Sequence, residues 1–116
     1  MSTIMPEAVR DRVEAGVAWL DQHDPGWWKV DQPGHGPNGG PIDLDVLDIQ
    51  SPCRCVLGQR WGNYYSSSIG ITMDEATDFG FDTAGHGRAE FEALGEEWTR
   101  VITERREAAA LEGAAR

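Results

Sequence analysis

Residues 88–106 read RAEFEALGEEWTRVITERR, and this stretch decides the fold. Its apolar side chains recur every three or four positions, which places them on one face of a helix. These side chains are Phe91, Leu94, Trp98, Val101 and Ile102. The pattern predicts an amphipathic helix from about residue 88 to 106, followed by the Ala-rich residues 107–116 as a frayed tail.

A second long helix is predicted near the start of the chain. Pro6 suits the first position of a helix, where a backbone N–H is not needed. Asp24-Pro25-Gly26 ends the pattern, so the helix covers about residues 6–23. Since the two long helices carry the longest apolar faces, we expect them to pack together. The face of this second helix consists of Val9, Val13, Gly16, Val17 and Leu20.

A short helix is predicted in the middle of the chain. Ser51 can act as its N-cap, and Pro52 suits its first position. Gly62 is a good terminator, because glycine readily adopts the left-handed conformation that ends many helices. The predicted helix therefore covers about residues 52–61.

A further short helix is predicted after Thr72. Thr72 and Glu75 have the spacing of a capping box, in which each side chain bonds the other residue's backbone N–H. Gly80 provides the stop. The predicted helix covers about residues 73–79.

The region between the first long helix and the short helices is irregular. Residues 32–41 hold three prolines and four glycines, which exclude a helix or a central strand and predict a mobile surface loop. Residues 42–46 then alternate apolar and acidic side chains, as in a short β segment. The alternative is an extended entry followed by one helical turn.

These elements fit one small domain. The chain has 116 residues, of which 40% are hydrophobic, and this is enough for one core without metal or disulfides. We predict a mostly α single-domain bundle of two long amphipathic helices and two short helices. The sequence leaves open whether one short β segment is also present. The globular domain covers residues 1–106, with the Gly/Pro-rich loop at 32–41 on its surface.

The charge limits the classes of partner. Twenty acidic residues face ten basic ones, and the net charge of -10 repels nucleic acid and anionic membranes. It suits a well-solvated protein or one that docks on a basic partner. Met1–Arg12 lacks the apolar centre of a signal peptide, and no apolar run could span a bilayer. We therefore expect a cytoplasmic protein.

Five aromatic residues at the ends of predicted elements are candidate binding residues. Aromatic side chains in such places often anchor a protein partner or line a ligand pocket. They also close the cores of small proteins, and the sequence leaves both interpretations open. The five residues are Trp27, Trp28, Trp61, Tyr64 and Tyr65.

The cysteines and histidines give weaker signals. Cys53 and Cys55 fall in the first turn of a predicted helix, where a thiolate is favoured, or they are simply packed. His35 and His86 each lie in Gly-His-Gly, which suits acid–base chemistry and equally suits a flexible loop. The usual zinc spacings, phosphate loops and catalytic motifs are absent. We expect no catalytic residue, metal or cofactor, and no enzyme activity.

The chain resembles a loose group of small uncharacterised proteins of actinobacteria and their phages. The resemblance covers roughly residues 13–106, and it supplies no catalytic residues because no activity is secure for the group. Its members lack the loop at 32–41. The segments that carry it are VAWLD at 17–21, PGW at 25–27, IDL at 42–44, CVLGQ at 55–59, Gly62 and Tyr64, GF at 80–81 and WTRVI at 98–102.

These observations lead to one functional expectation and two alternatives. We expect a small acidic interaction protein, of the kind a phage encodes to modulate a host protein, whose partner is a host protein or a second copy of the chain. One alternative is a protein that binds or sequesters a small ligand. The other is an inhibitor that mimics DNA, which requires acidic side chains in rows at phosphate spacing.

Overall fold

The computed structural model describes residues 6–83, 85 and 87–114. Its long helices are α1 (Pro6–His23) and α4 (Arg88–Ala114), and its short ones are α2 (Val56–Trp61) and α3 (Met73–Asp78). A single 3₁₀ turn, Ser67–Ile69, lies between the short helices. No strand occurs in the described part of the chain, so the predicted mostly α bundle is confirmed. The predictions on residues 1–5, His86 and residues 115–116 lie outside the described residues.

The two long helices pack against each other, as expected, and their facing sides form the centre of the core. The predicted apolar faces are confirmed, because their central side chains are fully buried. Trp27, Leu57 and Phe81 complete the core from the segments between the long helices. The buried side chains of the long helices are Val9, Val13 and Leu20 of α1 and Leu94, Trp98 and Ile102 of α4.

Gly16 lets α1 approach the chain that follows α3. A Cβ atom at Gly16 would overlap the carbonyl oxygen of Phe79 and lie 3.0 Å from the ring of Trp98. Trp98 in turn donates a hydrogen bond of 2.7 Å from Nε1 to the carbonyl oxygen of Gly80. The crossing of α1, α4 and the segment at 79–80 therefore depends on a residue without a side chain.

The start of α2 differs from the prediction. The helix begins at Val56 and not at Pro52, because the Pro52 carbonyl accepts the N–H of Tyr64 at 2.6 Å and is drawn away from a helical path. Cys55 takes the N-cap position, with Sγ accepting the N–H of Gly58 at 3.3 Å. The predicted end is correct: Gly62 follows the helix in the left-handed conformation.

The start of α3 is as predicted. The Thr72 hydroxyl accepts the N–H of Glu75 at 3.1 Å, and the Glu75 carboxylate accepts the N–H of Thr72 at 3.0 Å. Both bonds of the capping box are therefore formed. The helix ends at Asp78, one residue before the predicted end, because Phe79 has left the helical conformation.

The predicted β segment at 42–46 is wrong. Residues 44–46 form a turn, and residues 42–43 before them belong to no helix or strand. The carboxylate of Asp43 accepts the N–H of Asp45 at 2.9 Å, a bond that bends the chain locally. Of the alternative interpretation, the single turn after residue 43 agrees with the structure.

The loop at 32–41, which we expected to be mobile, is anchored at several points. Arg60 of α2 donates from Nη1 to the carbonyl oxygens of Gln32 and Gly40, at 3.0 and 2.9 Å. Backbone bonds reinforce this anchor, since the N–H of His35 bonds the Arg60 carbonyl at 2.7 Å. The many prolines and glycines thus shape a surface loop whose carbonyl oxygens surround one buried guanidinium.

The last helix is longer than predicted. It continues to Ala114, so the predicted end at residue 106 is wrong. Residues 108–110 are three alanines, the strongest helix formers, which let the helix propagate. Arg106 also ties this part of α4 to the protein, donating from Nε to the carbonyl oxygen of Trp28 at 2.7 Å. None of the described helices is long and apolar enough to cross a membrane.

Candidate functional site

Trp27, the first predicted binding residue, is part of the core. Its side chain is 0% exposed, and its ring meets that of Trp98 edge to face at 5.7 Å. Its Nε1 donates to the Asp21 carboxylate at 3.0 Å. Trp27 therefore cannot contact a partner of the folded protein, and the core-closing interpretation applies to it.

Trp28 and Trp61 are half-buried, and both rings pack against the core of the protein. The Nζ atom of Lys29 lies 5.9 Å from the ring centroid of Trp28. Trp61 stacks on the imidazole of His35, with 4.5 Å between the ring centroids. His35 itself is fixed by a contact of 2.9 Å from Nε2 to the Asp24 carboxylate. The stacking of His35 on Trp61 thus holds the loop at 32–41 against α2.

Tyr64 and Tyr65 lie together at the surface. Their rings meet edge to face at 5.2 Å, and Tyr65 is 71% exposed. The Tyr64 hydroxyl donates to the Asp82 carboxylate at 3.0 Å. Burial raises the pKa of the Tyr64 phenol, and the charge of Asp82 raises it further. Tyr64 is thus held neutral and fixed, whereas the Tyr65 ring is free to contact a partner.

Tyr65 borders a concavity of about 290 Å³. Met73, the first residue of α3, also lines this concavity and is 55% exposed. The buried side chains of Leu57, Ile69 and Ala76 line it as well, so part of its wall is apolar. We call this concavity the Tyr65–Met73 cleft. It combines an exposed aromatic ring, an exposed thioether and apolar wall residues, and tyrosine and methionine are residue types enriched in protein interfaces.

A larger depression lies along the last helix, and a small concavity adjoins both it and the cleft. A small concavity of about 190 Å³ shares Tyr64 and Tyr65 with the cleft. The same concavity shares Ile49 and Phe91 with a groove of about 740 Å³. This groove, which we call the α4 groove, lies between residues 47–50 and the stretch of α4 from Arg88 to Arg100. The shared lining residues place the three depressions side by side on the surface.

The two cysteines have different environments. Cys53 is exposed, whereas Cys55 is buried under the first turn of α2. Burial raises the pKa of the Cys55 thiol to about 11, although its hydrogen bond from Gly58 acts in the opposite direction. The sequence left open whether the cysteines are thiolates favoured by a helix start or simply packed, and Cys55 fits the packed alternative because desolvation outweighs the bond from the backbone N–H.

We therefore expect only one of the two thiols to react in the native protein. At pH 8, maleimide should modify Cys53 rapidly and leave Cys55 untouched, and both should react in denaturant. Mass spectrometry of the labelled chain measures this directly. The Cys53→Ser variant is the matched control and should take up no label while folded. Rapid labelling of that variant would contradict the burial of Cys55.

The possible metal ligands do not converge in the structure. Within the described residues, no three His, Cys, Asp or Glu side chains come together in a group that could hold a metal ion. Among the described histidines, His35 is committed to the Asp24 carboxylate and His23 to the carbonyl oxygen of Trp19.

Sequence reasoning found the tyrosines of the site and missed its other residues. Met73 follows the cap residue Thr72, and its position in the first turn of a short helix was the available signal. Gly95, which lines the α4 groove, was detectable as a glycine inside an otherwise regular helix. The groove as a whole was not detectable, because it joins residues 47–50 to α4, and these segments are distant in the chain.

Comparison of the chain with protein-family models, with curated proteins and with solved structures gives no significant match.

Proposed function

We propose that this protein binds a basic segment of a partner protein in the Tyr65–Met73 cleft. The observation that carries the proposal is the pairing of two large exposed side chains around one concavity. Tyr65 is 71% exposed and Met73 is 55% exposed, and both border the cleft. Covering such a pair against apolar wall residues releases water from apolar surface and favours association.

The chemistry of the two side chains supports a protein partner. Tyrosine offers a large amphipathic surface and loses little conformational entropy on binding, because it has only two side-chain torsions. Methionine is flexible and polarisable, so it adapts to irregular apolar surfaces. Tyr65 would act as the anchor of the interface, with Met73 closing over the partner's apolar side chains.

The charge around the cleft favours a basic partner. Residues 61–87 contain no lysine or arginine, and they contain four acidic residues. Asp74 and Glu75 are exposed directly after Met73. With a net charge of -10 for the chain, this face attracts cationic segments and repels anionic ones. The partner segment should therefore carry lysine or arginine beside an aromatic or aliphatic residue.

Selection from a library of random peptides tests this function without knowledge of the natural partner. Peptides retained by the immobilised protein should be enriched in lysine or arginine combined with apolar residues. Tyr65→Ala should weaken the binding of the selected peptides by about 30-fold, as for the removal of a central anchor. Fluorescence anisotropy with labelled peptides measures the affinity, which should fall as salt is raised.

The control is Leu111→Ala, which removes an apolar side chain with 73% exposure, similar to that of Tyr65, but outside the cleft. Its affinity for the selected peptides should equal that of the wild type. Unchanged binding by both Tyr65→Ala and Met73→Ala would refute the proposal. Enrichment of acidic peptides would refute the basic character of the partner.

A further inference from the structure

The packing of the chain itself does not explain why a glycine stands at position 95 inside α4. Glycine is less favourable than alanine in a helix interior, so a glycine there usually allows a close contact that a side chain would prevent. A Cβ atom at Gly95 would meet only Cγ1 of Ile49, at the ordinary contact distance of 3.8 Å. Gly16 of α1 is the opposite case, because there an added Cβ atom would overlap the backbone of Phe79.

The open position at Gly95 is part of the α4 groove. Gly95 lines the groove together with Leu47, Ile49 and Phe91, which give it an apolar part. Without a side chain at this position, the backbone of α4 is accessible to anything lying in the groove. The position therefore suits an occupant whose own backbone comes close to the helix.

The charges of the groove indicate a cationic occupant. Asp48, Glu92 and Glu96 line it, all three are exposed, and none forms an ion pair with another described residue. Arg100 is already paired with carboxylates of its own helix. Arg88 is the other cation of the groove, so carboxylates exceed the available cations there.

We infer that the α4 groove is the second half of the docking surface. The basic segment that occupies the Tyr65–Met73 cleft continues along the groove, with its backbone lying against Gly95. This inference rests on the proposed function and on the adjacency of the depressions, since Tyr65 lines both the cleft and the small concavity and Phe91 lines both that concavity and the α4 groove. From Arg88 to Arg100 the groove follows about 18 Å of helix, a length that about six extended residues span.

The test uses peptides of about sixteen residues, long enough to cover both halves, selected on the wild-type protein from a random library. Gly95→Ala places a methyl group on the groove floor, so it should weaken the binding of these peptides by about tenfold. The same variant should raise the melting temperature by about 4 °C, because alanine is the better helix former. Improved stability together with weaker binding is a result that damage to the fold cannot produce.

Two further variants complete the design. Glu92→Gln combined with Glu96→Gln leaves the groove's shape nearly unchanged. This double variant should also weaken the binding of the peptides about tenfold, and its affinity should depend less on salt. Ala108→Gly on the same helix lies outside the groove, so it should lower the melting temperature and leave the affinity unchanged.

The outcomes separate this inference from the proposed function. Loss of binding in Tyr65→Ala, with wild-type affinity in Gly95→Ala and in the glutamine variant, would overturn the inference and leave the cleft as the binding site. Wild-type affinity in all of these variants would overturn both. Failure to select any peptide would also overturn both, since each requires a segment of this chemistry to bind.

Discussion

Replacing Arg60 with methionine should lower the free energy of unfolding by about 4 kcal/mol. The Arg60 side chain is 0% exposed, and its Nε and Nη2 atoms hold the Asp24 carboxylate at 2.7 and 2.9 Å. Nη2 also donates to the carbonyl oxygen of Pro33, so the guanidinium serves both the carboxylate and the loop at 32–41. Methionine fills similar space but leaves a buried carboxylate without its cation. Urea denaturation of the purified variant measures the loss.

A surface ion pair provides the control for Arg60. Arg100 is 43% exposed and pairs with Glu97 and Glu104 on the same helix. Arg100→Met should cost no more than about 1 kcal/mol, because water screens exposed pairs. Equal losses in the two variants would show that Arg60 does not organise the loop. Replacing Arg60 and Asp24 together by apolar residues should recover part of the loss, since no unpaired charge then stays buried.

Gly16→Ala should destabilise the protein by about 3 kcal/mol, although helix propensity alone predicts a gain of about 1 kcal/mol. The added methyl group would overlap the carbonyl oxygen of Phe79 and press on the ring of Trp98. Neither neighbour can move freely, because Trp98 is fully buried and bonded to the Gly80 carbonyl. Thermal and urea unfolding should both report the loss.

The matched control for Gly16 is the same substitution at Gly95. There the new methyl group meets only Ile49, at 3.8 Å, so stability should rise by about 1 kcal/mol. Changes of opposite sign would show that local space, and not the helix propensity of alanine, decides the outcome. If both variants were stabilised, the close crossing at Gly16 would be contradicted.

Local signals predicted the helices well. The spacing of apolar residues in α1 and α4 predicts their packing, because one face of each helix must be buried. Thr72 and Glu75 predict the start of α3, because both partners of the capping box lie within one turn of chain. These predictions succeed because the physical causes are close together in sequence.

Predictions failed where distant parts of the chain decide the outcome. The start of α2 is shifted by the bond from the N–H of Tyr64 to Pro52, and Trp27 is buried by Trp98. Arg60 gave no signal, since arginine on a short helix is usually exposed and only the folded loop encloses it. For the same reason the sequence indicated Tyr64 and Tyr65 as candidates but gave no indication of the depressions that lie between them and α4.

The central claim is that a basic segment binds along the Tyr65–Met73 cleft. The most direct test is a nuclear magnetic resonance titration of the isotope-labelled protein with a library-selected basic peptide. We predict that the amide signals which move are those of residues 64–73 and of α4 around Gly95, while those around Val30 and Leu111 stay in place. Movement confined to the region of Val30 and Leu111, with the signals of 64–73 unchanged, would contradict the claim.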